Sequence, residues 1–113
     1  MEKENGMTVK TYDGGVSEEQ IETWKKRHGK VVRIDVVDGD DTHIGYFKRP
    51  SMETMQAVAG IGKTDEFKSG KVLFDGTWLG GSEQLATDAV LYIATMQQLN
   101  KSFNSCMASL KNF

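Results

Sequence analysis

Apolar residues in the last quarter of the chain fall at a regular spacing. Leu85, Ala89, Tyr92, Met96, Leu99, Phe103, Cys106 and Leu110 are separated by 4, 3, 4, 3, 4, 3 and 4 positions. That alternation is the signature of a helix burying one narrow stripe. Val90, Ile93 and Met107 widen the stripe, and Asp88 and Lys111 carry the charge signs that the two ends of a helix favour. The pattern predicts a long helix over about 86–111, capped by Ser82 or Thr87. At 1.5 Å per residue it spans roughly 37 Å, about the width of a small domain or more. Asn100, Ser102, Asn104, Ser105 and Ser109 leave its later half polar but uncharged. A solvated helix face normally carries more charge, so this end is expected to pack against another chain.

Upstream the periods change. Ser17 and Gln20 form a capping-box pair ahead of Ile21 and Trp24, Lys25–His28 are basic, and Gly29 follows; a helix over about 17–28 is expected, anchored by Trp24. From Val31 to Val37, β-branched residues alternate with Arg33 and Asp35, and Asp38-Gly39-Asp40-Asp41 reads as a turn into a returning strand, Thr42–Lys48. Two strands alone are barely stable, so this hairpin must lie on helices or pair further. Pro50 breaks the strand. Met52, Met55, Val58 and Ala59 form a short helical face, stopped at Gly60-Ile61-Gly62. Thr64 is expected to cap a third helix bearing Phe67, Lys71, Phe74 and Trp78 at 4, 3 and 4 spacing. Trp78-Leu79-Gly80-Gly81 reads as a helix-to-helix turn pinned by the indole. Residues 1–16 are polar and read as a flexible N-terminal arm, although Thr8–Tyr12 alternates enough for a short strand. The fold class is therefore α+β: a β-hairpin over about 31–48 packed on a helical layer, in a single domain over 17–113.

Composition narrows the functional classes. The 113 residues are 38% hydrophobic and 27% charged, with net charge −2, against the basic stripe of a nucleic-acid binder. No apolar run is long enough to span a bilayer, and residues 1–6 lack the apolar stretch of a signal peptide. The single cysteine, Cys106, excludes an internal disulfide framework and any multi-cysteine metal site; a reducing cytoplasm is expected.

Candidate chemistry is thin. Ala57-Val58-Ala59-Gly60-Ile61-Gly62-Lys63-Thr64 matches the phosphate loop G-x-x-x-x-G-K-[ST] except at its first glycine. That loop needs a strand before it, and here a helical pattern precedes it. Asp38, Asp40 and Asp41 lack calcium-loop spacing and serve a turn. His28 and His43 have no serine or cysteine partner that spacing can identify. Met52, Met55, Met96 and Met107 suit core filling or an adaptable binding surface. No catalytic residue, cofactor or metal is expected.

Three segments in order carry a family resemblance: Ile21-x-x-Trp24-Lys25 before the hairpin, Tyr46-Phe47-Lys48-Arg49-Pro50 leading into Met52-Glu53-Thr54-Met55, and Trp78-Leu79-Gly80-Gly81-Ser82 before the last helix. Over about residues 17–112 the chain resembles small proteins of tailed bacteriophages and prophages, some described as tail assembly chaperones. The resemblance implies a non-enzymatic assembly role in the cytoplasm of the bacterial host, with a phage tape-measure or tail-tube protein as partner. Leu99, Phe103, Met107, Leu110 and Trp78 are the expected contact residues, and the stripe is compatible with a homo-oligomer. A structural virion component, such as a connector or decoration protein, is the alternative; a small nucleotide-binding protein is a more distant one.

Overall fold

The structure is a computed structural model that describes residues 10–111, and the side chains of 10–103. It is an α+β fold with a four-stranded mixed sheet. The elements run β1 (Lys10–Tyr12), α1 (Glu18–His28), β2 (Val31–Asp38), β3 (Asp41–Lys48), α2 (Met52–Gly62), α3 (Glu66–Thr77), β4 (Trp78–Gly81), α4 (Gln84–Thr87) and α5 (Ala89–Lys111).

The hairpin forms where the alternation places it. Its register pairs Val31 with Lys48 and Asp38 with Asp41, around Gly39 at φ 62°. Residues opposite one another share a face. Val32, Ile34 and Val36 therefore lie with Gly45 and Phe47 on one side, where Ile34, Val36 and Phe47 are buried against Phe74, Leu85, Leu91, Tyr92 and Leu99. The other side of β3 is covered by α1, whose Trp24 ring lies 5.8 Å from that of Tyr46. The expected capping box at Ser17 is present, with both reciprocal bonds formed.

The hairpin's further pairing comes from two short strands. β1 runs parallel to the first half of β3, pairing Lys10 with Asp41 and Tyr12 with His43. Part of the segment read as an arm is thus a strand, and residues 1–9 lie outside the described residues. β4 runs antiparallel to the second half of β3, pairing Gly45 with Gly81 and Phe47 with Trp78, with a bulge at Leu79. The expected turn at Trp78–Gly81 is therefore a strand. Trp78 still anchors it, stacked on Phe74 at 5.3 Å and edge-on to Phe47 at 5.4 Å.

Because β1 and β4 share one edge of β3, the chain must cross itself where they meet. Gly81 sits there at φ 135°, and a Cβ on it would lie 2.3 Å from the Ile44 carbonyl oxygen. A Cβ on Gly14, at φ 66°, would meet the Gly81 carbonyl oxygen at 2.0 Å. Only glycine satisfies both the backbone angles and the space.

The last helix differs from its expected form at its start. Asp88 has extended backbone angles, φ −90° and ψ 121°, and separates α4 from α5. Its Oδ1 accepts from the Val90 and Leu91 amides at 3.0 and 3.1 Å, so Asp88 is the cap, and neither Ser82 nor Thr87 is. The break turns the buried row to Leu91, Tyr92, Thr95 and Leu99 and leaves Ala89 exposed. Thr95 enters that row because its hydroxyl donates to the Leu91 carbonyl at 2.7 Å. The α2–α3 junction is a pair of helix ends. The Thr64 and Asp65 amides both donate to the Ile61 carbonyl, and Asp65, where Thr64 was expected, caps α3 through the Lys68 amide.

Replacing Asp88 with alanine should cost about 1 kcal/mol, the usual worth of a helix cap. Gly81→Ala should cost more, roughly 2–4 kcal/mol, because strain and overlap with backbone add. Urea unfolding measures both as a lowered midpoint at unchanged slope.

Candidate functional site

Among the described residues the exposed large apolar side chains are Val37 of β2, Met52 of α2, Phe67 of α3, and Val90 and Ile93 of α5; the last three lie together. Phe67 of α3 is 69% exposed, and Val90 and Ile93 of α5 are 73% and 53% exposed. Phe67 and Ile93 flank a shallow groove of about 450 Å³ between the two helices, whose floor is Gly70, Tyr92 and Met96. Glu66, Gln97 and Asn100 supply a polar rim. Gly70 allows the close approach: a Cβ there would meet the Tyr92 hydroxyl at 3.2 Å. The Tyr92 ring is held between Phe67, at 5.8 Å, and Phe74, at 5.5 Å. The Lys71 ammonium lies 5.8 Å from the same ring and 3.6 Å from Asp75. This is an apolar floor with a charged border, suited to an apolar helix face.

The expected contact residues whose side chains the structure describes, Leu99, Phe103 and Trp78, do not line this groove. Leu99 is fully buried in the chain's own core, so it presents no surface. Phe103 and Trp78 are half-buried and pack against that core. The side chains of Met107 and Leu110, and of Cys106 beside them, lie outside the described residues. Among the described side chains of α5, the exposed large apolar ones are Val90 and Ile93, which the sequence places at the margin of the stripe. Phe67 carried no signal of exposure, since its spacing with Phe74 reads as an inward face.

A second polar cluster lies at the glycine crossing. His43 is buried, its Nδ1 is 2.8 Å from Ser82 Oγ, and its ring stacks on Tyr12 at 4.7 Å and 9°. The separation of 39 positions along the chain hid this pairing. A serine beside a histidine is the geometry of an activated nucleophile. Here both Ser82 and His43 are buried, and the Ser82 amide donates to the Ile44 carbonyl at 2.8 Å, fixing the turn to β3. The pair instead ties β3 to the turn after β4, with Tyr12 of β1 stacked over it, and satisfies a buried imidazole.

The Gly62-Lys63-Thr64 segment makes no phosphate cradle, since it closes helix α2 and the Thr64 and Asp65 amides donate to the Ile61 carbonyl. The Asp38–Asp41 carboxylates surround the hairpin turn. Among the described residues there is no group of three or more His, Cys, Asp or Glu side chains placed to hold a metal ion, and no helix long and apolar enough to cross a membrane. Comparison with family models, curated proteins and solved structures finds no match to this chain.

Burial, and secondarily the Asp75 carboxylate, pushes the Tyr92 phenol above its ordinary value of 10.0. In the unfolded chain it ionises near pH ~10. Its contribution to stability is therefore complete below that pH and is lost as pH rises through the higher folded value. Tyr92→Phe should flatten this alkaline decline, measured as the urea midpoint against pH.

Proposed function

We propose that this chain is a non-enzymatic protein-binding module of bacteriophage morphogenesis, akin to a tail assembly chaperone, acting in the cytoplasm of the bacterial host. Its partner is a long helical protein of the tape-measure kind, whose apolar stripes it covers until assembly. The observation that supports this reading is the exposure of Phe67 and Ile93 across the α3–α5 groove, continued one turn earlier by Val90. Apolar surface grouped in this way marks an interaction site more often than scattered apolar residues do. A groove between two helices accepts the apolar face of a third, and the rim of Glu66, Gln97 and Asn100 can bond its flanks. The partner class comes from the resemblance of the three sequence segments to phage tail assembly chaperones. The contact set accordingly shifts from Leu99 and Trp78 to Phe67, Val90 and Ile93.

The test is co-expression with a phage tape-measure protein. The wild-type chain should keep that protein soluble and co-elute with it. Phe67→Glu and Ile93→Glu should each weaken the complex at least about tenfold, while moving the chain's own stability by no more than ~0.5 kcal/mol, as surface changes do. Unchanged binding in both variants would remove the groove from the reading. Abundant copies of the chain in purified virions would mark it as a structural component instead.

A further inference from the structure

We propose that two copies of this chain pair edge to edge through β2, antiparallel about a two-fold axis at Ile34, forming one continuous sheet. Among the described residues β2 ends the sheet, with β3 on one side and no strand on the other. The direction of its free groups follows from bonds that β3 makes elsewhere. The carbonyls of Asp40 and Ile44 turn away from β2 to accept from the Lys10 and Ser82 amides. Residues 41, 43, 45 and 47 therefore bond β2, and their partners Asp38, Val36, Ile34 and Val32 are committed to β3. The alternate residues Val31, Arg33, Asp35 and Val37 turn their amides and carbonyls outward.

The segment is charge-inverted about its centre: Lys30-Val-Val-Arg33-Ile34-Asp35-Val-Val-Asp38. Antiparallel pairing with Ile34 opposite Ile34 sets Arg33 against Asp35, Val31 against Val37 and Val32 against Val36 of the second copy. Lys30 then faces Asp38. The outward-bonding residues meet outward-bonding residues, as an antiparallel ladder requires, and give on the order of eight backbone bonds. Val37, 71% exposed in the single chain, gains an apolar neighbour. Sliding by one step that preserves the bonding sets Arg33 opposite Arg33 in one direction and Asp35 opposite Asp35 in the other, and like charges directly opposed are destabilising. The charges that would blunt an ordinary edge here admit one register. Within one chain the exposed Arg33 and Asp35 side chains, on the α1 side of the sheet, already bond each other at 2.8 and 3.0 Å, so the pair joins two such couples into a ring of alternating sign.

Sedimentation velocity across a wide concentration range tests this. The wild-type chain should shift from 12.6 kDa to twice that mass as concentration rises. Arg33→Asp and Asp35→Arg should each weaken self-association about tenfold or more, since each creates two opposed like charges. The two variants mixed in equal amounts should pair again, because each supplies the charges the other lacks. Hydrogen exchange on the wild-type chain provides a reading that no substitution can disturb: the amides of Arg33, Asp35 and Val37 should gain protection as concentration rises. A wild-type chain that stays monomeric, a dimer that survives both single changes, a mixture that does not recover, or exchange independent of concentration would each overturn the proposal.

Discussion

Strand β3 has to be covered on both faces and bonded on both edges, and the other elements are arranged by that requirement. Five consecutive residues, His43 to Phe47, are buried. One edge is met by β2 over its full length. The other is met by two fragments from distant parts of the chain, β1 and β4, laid end to end. A buried strand cannot leave its amides and carbonyls unpaired without a cost comparable to a lost hydrogen bond for each. The fragments can share an edge because Gly14 and Gly81 let the two backbones touch. His43, Ser82 and Tyr12 lie at the same junction, so the polar cluster and the glycine crossing are one device. It joins the chain's first strand to the turn that launches its last helices.

This explains which parts of the fold were legible in the sequence. The hairpin and α1 were, because their signals are local: alternation over eight residues, Asp-Gly-Asp in the turn, a capping box at Ser17. β4 was not, because Trp-Leu-Gly-Gly is short, lacks alternation and ends in two glycines, which disfavour strands, and it is a strand because β3 offers it an edge. β1 was visible only as a short alternation inside a polar segment. The α3–α5 groove was hidden for a different reason. Leu85 and Ala89 continue the apolar spacing across Asp88 as though one helix ran through, whereas the aspartate breaks it and rotates the register. The buried row then includes Thr95, a polar residue that bonds its own backbone, and releases Ile93. Spacing alone cannot see a hydroxyl satisfied within its own helix.

The two surfaces that remain differ in their physics. The groove offers apolar area with few fixed hydrogen bonds, so it can accept many related helical faces at modest affinity. The β2 edge offers a backbone ladder whose register is fixed by alternating charge, so it discriminates strongly against anything but its own mirror-ordered sequence. One suits a partner with many imperfect repeats; the other suits a copy of the same chain.

Their placement makes them compatible. The groove lies between α3 and α5, while the edge belongs to β2, so neither occupant would cover the other's residues. A two-fold axis perpendicular to the sheet would put both copies' α3–α5 layers on the same face. A dimer would then present two apolar grooves in one direction. For a long helical partner, the second groove engages at the effective concentration set by the first, which raises the overall affinity by orders of magnitude without any new contact. Grooves that are individually weak are then an advantage, because each can release while its neighbour holds, which is the grip that the proposed role in assembly requires.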